Sequence, residues 1–145
     1  MTWVDKTRAI VDMSFYINSL DGLWKSGLTY GIIETGTLVG TVGFHHTDMR
    51  NKKTEIGYWI APSHQGKGLA TLAGKTAINA VFRFTDINRI EAKIQDTNKA
   101  SEQVIKKLKF TYEGIEREGI KTSEHFWSHQ VYSLLRSDLG SSQAL

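Results

Sequence analysis

Cysteine is absent from the 145-residue chain, which removes disulfides, thiolate metal sites and a catalytic cysteine from consideration. Proline occurs once, at Pro62, so no Pro-rich linker divides the sequence. No run approaches the ~18 consecutive apolar residues of a membrane span. The opening Met1-Thr2-Trp3-Val4-Asp5-Lys6 carries charge where a secretory signal needs an apolar core, and a cytoplasmic location away from membranes is expected. Charge of one sign is also scarce: 18 Lys and Arg against 15 Asp and Glu leave a formal +3. The clusters Lys52-Lys53 and Lys106-Lys107-Lys109 read as solvated faces. No ladder of interleaved basic and aromatic residues points to nucleic acid, and no nucleic-acid partner is expected.

What remains is an ordinary globular balance, 40% hydrophobic and 23% charged, in a length that suits one core. Residues 1–136 read as a single domain, and 137–145 as a small, polar, fraying tail. From Asp5 to Leu20 the apolar positions Ile10, Met13, Ile17 and Leu20 are spaced as a helix, closed by a turn between Gly22 and Gly27. Three strands follow, Leu28 to Glu34, Leu38 to His45 and Thr54 to Ile60, with a Thr35-Gly36 turn between the first two. The period then changes. Leu69, Leu72, Ala73, Thr76, Ala77, Ala80 and Val81 form one helical stripe. Arg89 to Gln95 alternates as a strand, Asn98 opens a second helix, and Phe110 to Ile120 and His125 to Leu135 close as a strand pair. This order predicts a mixed α/β sheet.

The segment His64-Gln65-Gly66-Lys67-Gly68-Leu69-Ala70 lies between a strand and a helix start. A helix N-terminus exposes unpaired N–H groups and a positive dipole end, which attract phosphate. Glycine at 66 and 68 removes side chains that would hold a pyrophosphate off, and Lys67 adds a cation at the rim. The spacing is neither that of a P-loop nor that of a dinucleotide fingerprint.

Gln65-Gly66-Lys67-Gly68-Leu69-Ala70 matches the (Arg/Gln)-x-x-Gly-x-(Gly/Ala) acetyl-CoA loop of the GNAT superfamily. Thr54-Glu55-Ile56-Gly57-Tyr58-Trp59-Ile60 ahead of it resembles the RimJ/RimL group of ribosomal-protein and N-terminal acetyltransferases. So do Asn98-Lys99-Ala100-Ser101, Leu108-Lys109-Phe110 and Glu113-Gly114, in that order. The resemblance implies a GNAT-type α/β (α+β) sheet, mostly antiparallel, flanked by helices and splayed where acetyl-CoA lies. It also implies acetyl-CoA as cosubstrate, no metal, and an amine acceptor. By the same resemblance the cofactor arm would meet main chain at Trp59 and Ile60, the pyrophosphate would rest on Gln65, Gly66, Lys67, Gly68, Leu69 and Ala70, and Asn98 would touch the arm. Asn98 equally suits simple helix capping.

Two residues are candidates for proton transfer. Glu55, before an aromatic-rich run, could deprotonate an amine through water or be an edge carboxylate facing solvent. Ser101 shares the apolar stripe of its helix and could approach the thioester or bond only its own backbone. The chain departs from the resemblance in three places. Ile105 stands where many GNAT enzymes carry a tyrosine acid, Lys109 replaces a glycine, and Ile120 takes the place of a proposed catalytic glutamate, with Glu116, Glu118 and Glu124 nearby. His45-His46 end a strand, and His125 and His129 stand four apart, but no third ligand accompanies either pair at metal-site spacing.

The opening strand and helix usual in the group are not apparent, which would leave the edge at Leu28 to Glu34 to be covered by a second chain in a homodimer, or by the N-terminal helix folding back in a monomer. The expected activity is N-acetylation of an amine, most like protein N-termini. A polyamine or aminoglycoside acceptor and a non-catalytic acetyl-CoA-binding role are the alternatives.

Overall fold

A computed structural model of the chain describes residues 2–4, 10–12 and 28–140. The elements are β1 (Thr2–Val4), β2 (Ile10–Asp12), β3 (Leu28–Glu34), β4 (Thr37–Asp48), β5 (Lys53–Ile60), α1 (Leu69–Phe84), β6 (Arg89–Gln95), α2 (Lys99–Lys107), β7 (Thr111–Lys121) and β8 (Phe126–Leu135). The eight strands form one sheet in the order β1-β2-β3-β4-β5-β6-β8-β7. Every pairing is antiparallel except β5 with β6. A parallel pair cannot be joined by a tight turn, and α1 provides the crossover.

Local chemistry explains most of these elements. Thr35 and Gly36 both have positive φ, 48° and 81°, the two-residue turn whose twist suits a hairpin. α1 buries Leu69, Ala73, Gly74, Ala77, Ile78, Val81 and Phe82 against the sheet face that carries Val42, Phe44, Ile56, Ile90, Ala92 and Leu134. A Cβ on Gly74 would come within 2.8 Å of Leu108 Cδ1, so glycine sets how closely the segment after α2 packs. Past the end of α1, the Arg136 guanidinium donates to the carbonyls of Phe82, Thr85 and Ile87 and stacks over the Phe82 ring.

The opposite sheet face is polar. Arg89 pairs with Glu91 and Glu113, Lys53 with Glu91, and Lys93 with Glu116. Hydrogen bonds from Arg89, then from Ser133, hold the Glu113 carboxyl down at about 2. Among the described residues no helix is long and apolar enough to cross a membrane.

Four sequence expectations need correction or restriction. Ile10–Asp12, placed in a helix by its spacing, is a strand, because Ile10 and Val11 pair with Ile33 and Ile32 of β3; the rest of the expected helix and its Gly22–Gly27 turn lie outside the described residues. The same pairing covers the β3 edge at Ile32 and Ile33, and Leu28 and Ile32 are buried, so the edge expected to be open is covered in part within the chain. β4 runs on past His45 to Asp48 through a register shift. Finally, Arg136–Leu139 forms a 3-10 turn in which Asp138 Oδ2 accepts the Leu135 N–H at 2.8 Å, so the expected tail is ordered at its start; residues 141–145 lie outside the described set.

Candidate active site

The parallel pairing of β5 and β6 lasts three rungs, Lys53↔Arg89, Thr54↔Ile90 and Glu55↔Glu91. Beyond Glu55 the β6-facing edge of β5 has no strand partner among the described residues, while β6 stays paired with β8 to Gln95↔His129. The sheet therefore splits, with Glu55 at the vertex and Trp59 and Ile60 roughly 13–17 Å further along the open edge. Tyr58 ties this edge to α2: its hydroxyl donates to the Ser101 carbonyl at 3.1 Å, and burial pushes the phenol up to about 12.

At the far end of β5 the chain passes a 3-10 turn (Pro62–His64) into the α1 N-terminus. Gly66 and Gly68 have φ of 74° and 79°, and a Cβ at either would meet nothing within 4 Å. Gly68 is the N-cap, with no side-chain capping bond. The first helical bond here runs from Leu72 N–H to the Gly68 carbonyl at 3.0 Å, so the N–H groups of Leu69, Ala70 and Thr71 precede it without helical partners. Uncapped N–H groups next to glycines with open Cβ positions are a setting that can take an anion.

Two residues of this loop, both exposed, are already engaged within the chain. The Gln65 amide donates to the Ile60 carbonyl at 2.9 Å, which occupies one of the main-chain groups expected to hold the cofactor arm. Lys67 is not a loose rim cation but lies 3.5 Å from Glu34. Glu34 is the residue that sequence reasoning missed. Its side chain is only 11% exposed, and it also meets His64 Nδ1 at 2.6 Å. The His64 hydrogen bond, and after it the Lys67 charge, hold its carboxyl below the ordinary value against the effect of burial. A buried acid at the end of β3 thus anchors both sides of the loop that ends at Gly68. Glu34→Gln should weaken acetyl-CoA binding roughly tenfold, the value of one or two charge-assisted hydrogen bonds, with a native far-UV spectrum. Isothermal calorimetry on both forms checks it, and equal affinities would show that the loop holds its shape without the carboxylate.

At the vertex, Glu55 faces two imidazoles. His45 Nε2 lies 3.3 Å from Oε1, and His46 Nδ1 lies 3.2 Å from Oε2. The carboxylate is 16% exposed. Burial raises its pKa, but the His45 and His46 hydrogen bonds and the charges of His45 and Lys93 outweigh it and leave the group below its ordinary value. Glu55 is therefore neither solvated nor at an edge. Beside it a groove of about 320 Å³ is lined by Thr29, Thr41, Gly43, Phe44, His45, Gly57, Tyr58 and Trp59. Trp59, at its rim, is 58% exposed.

Asn98 caps α2, its Oδ1 accepting the Ser101 N–H at 3.1 Å. Ser101 is half-buried, with its N–H held by Asn98 and its carbonyl by Tyr58. Ile105 is fully buried in the core and offers no acid. Lys109 has φ 63°, the left-handed region that a glycine would adopt at no steric cost. Ile120 is exposed, Glu116 is spent on Lys93, and His129 is buried with an unpartnered Nδ1 while His125 lies before β8 begins.

The acetyltransferase (GNAT) domain family matches residues 1–111. The chain is 35% identical over 139 residues to the uncharacterized N-acetyltransferase p20 of Bacillus licheniformis, covering 94% of this chain and 76% of that protein. It is 32% identical over 83 residues to the ribosomal-protein-serine acetyltransferase of Escherichia coli K12 (57% and 46% covered). It is 31% identical over 81 residues to the spermidine N(1)-acetyltransferase of the same strain (56% and 42%). The solved structure of Mycobacterium smegmatis RimJ with CoA-disulfide superposes at TM-score 0.74 with 25% identity, covering 81% of this chain and 56% of that one. The chain thus spans about half the length of several proteins it matches.

Proposed function

Because the chain belongs to the acetyltransferase (GNAT) family, we propose that it transfers the acetyl group of acetyl-CoA to an amine, and that the amine is a protein α-amine. The observation that carries this reading is the split of β5 from β6, with the uncapped α1 N-terminus at one end and Glu55 at the vertex.

Acetyl-CoA would supply the acetyl group as an activated thioester. The N–H groups of Leu69 and Ala70, with Gln65, Gly66, Lys67 and Gly68 shaping the loop, hold the pyrophosphate. Main chain at Trp59 and Ile60 guides the arm toward the vertex, beside the α2 entrance at Asn98. Glu55 accepts the proton of the attacking amine through a water, and the paired imidazoles hold its carboxylate in place. In this reading the Ser101 hydroxyl would donate to the departing sulfur. That donor need not be strong, since a thiol of pKa about 8.5 leaves readily near neutrality, and this accommodates Ile105.

The acceptor class follows from the cost of deprotonation. At pH 7 a lysine-like amine, pKa about 10.4, loses its proton at a cost of roughly 4.6 kcal/mol, while an α-amine near 7.8 costs about 1. Glu55, beside the groove, is a weak base, and none of the described residues that line the groove is a carboxylate, where a polycation would need several acids. A thiol-release assay across peptide α-amines, spermidine and an aminoglycoside tests this. Faster turnover of peptides is expected, and a higher kcat/KM for spermidine would reverse the assignment.

Cofactor binding is testable first. At 100 times its dissociation constant acetyl-CoA should stabilise the fold by about 2.7 kcal/mol. A melting temperature unmoved by saturating acetyl-CoA and by CoA would remove the basis of the proposal.

A further inference from the structure

Consecutive residues of a strand point to opposite faces, yet His45 and His46 both reach Glu55. A backbone irregularity makes this possible. The β4–β5 register shifts between His45 and Asp48, and His46 has φ 50°, a conformation that non-glycine residues rarely adopt. The β4–β5 pairing then brings in the third group, ten and nine residues away in sequence.

We propose that His45, His46 and Glu55 form a binding site for one divalent zinc ion at the edge of the groove. Donor atoms of the three side chains all lie within 4.8 Å of one another, and the carboxylate oxygens stand 3.3 and 3.2 Å from the two ring nitrogens. Bonds of about 2.0–2.1 Å in a tetrahedral zinc site place neighbouring donors roughly 3.3 Å apart. Closing the set from 4.8 Å to that spacing falls on His46, whose side chain is 78% exposed and able to rotate. Two imidazole nitrogens with one carboxylate select zinc over magnesium or calcium, which prefer all-oxygen sets. A Cβ on Gly57 would lie 3.0 Å from His45 Cε1, so the glycine makes room for the ring that carries the first nitrogen. The ion is a reversible ligand rather than a participant in transfer, and it would occupy the carboxylate that the proposed reaction uses as base.

Calorimetry of tag-free, full-length protein with zinc chloride tests the site without any activity readout, so failure of the acetyl-transfer reading leaves it standing. Saturable binding of one ion per chain is expected, with magnesium giving no heat. His46→Ala and Glu55→Gln should each weaken it by more than about tenfold, since even an outer-shell partner of a metal ligand is worth that much. His125→Ala should bind as the parent does. Absence of saturable binding overturns the proposal. So does zinc affinity that is unchanged in both His45→Ala and His46→Ala, each confirmed folded by circular dichroism.

Discussion

Replacing Gly68 with Asp is expected to weaken acetyl-CoA binding by more than about a hundredfold while the fold persists. Gly68 sits at φ 79°, ψ 6°, in the left-handed region where an L-residue pays roughly 1–2 kcal/mol. Aspartate is among the side chains that tolerate it best. No heavy atom within 4 Å opposes its Cβ, so no packing is disturbed. The position is also an N-cap without a side-chain acceptor, and a carboxylate there can take an N–H of the first turn, which offsets part of the strain. The same bond removes a donor from the pyrophosphate and sets a negative charge against it. Gly68→Ala separates the two effects, since it carries the strain without the charge. Calorimetric affinity falling modestly for Ala and steeply for Asp, with melting temperatures close together, is the expected pattern. If Asp and Ala bind acetyl-CoA alike, the phosphates rest somewhere other than this helix end.

The parts of the fold that the sequence made legible are those whose pattern is local. The stripe from Leu69 to Val81 and the alternation from Arg89 to Gln95 record which side faces the core, and α1 and β6 follow them closely. The loop at Gln65–Ala70 was legible through its match to the family's (Arg/Gln)-x-x-Gly-x-(Gly/Ala) pattern, and Gly66 and Gly68 adopt the positive φ that glycine allows. Ile10–Asp12 shows the limit: its spacing with Met13 and Ile17 suits a helix, but pairing with Ile32 and Ile33, some twenty residues later, decides its state. The same non-locality hid Glu34. Nothing near it predicts a partner, and its role arises from His64, thirty residues on, when β3 and the loop come together. His45 and His46 were visible as a pair without a third ligand, because the register shift that turns both toward Glu55 is a property of the β4–β5 ladder. Lys109 is the converse case, where the family's glycine predicts the left-handed backbone and lysine adopts it regardless.

Glu55→Gln is expected to lower turnover about a hundredfold at neutral pH, the low end for loss of a general base, with acetyl-CoA affinity unchanged. The low end is appropriate because the His45 and His46 contacts keep the Glu55 carboxyl below its ordinary value. A base that weak is fully ionised at pH 7 but gains little by accepting a proton. Its advantage is position at the last rung before the strands part, where a bound water can bridge amine and carboxylate. Glutamine keeps the size and one acceptor oxygen, so the groove and the two histidines beside residue 55 should survive, and the vertex lies roughly 13–17 Å from Trp59 and Ile60. The discriminating measurement is kcat against KM for acetyl-CoA on one peptide substrate. A fall in kcat with constant KM supports a group that acts on the acceptor's proton, whereas a raised KM at constant kcat would place Glu55 in cofactor binding. Unchanged turnover from pH 6 to 9 would make it a purely structural anchor for β4, and the base would have to be sought elsewhere on the polar face.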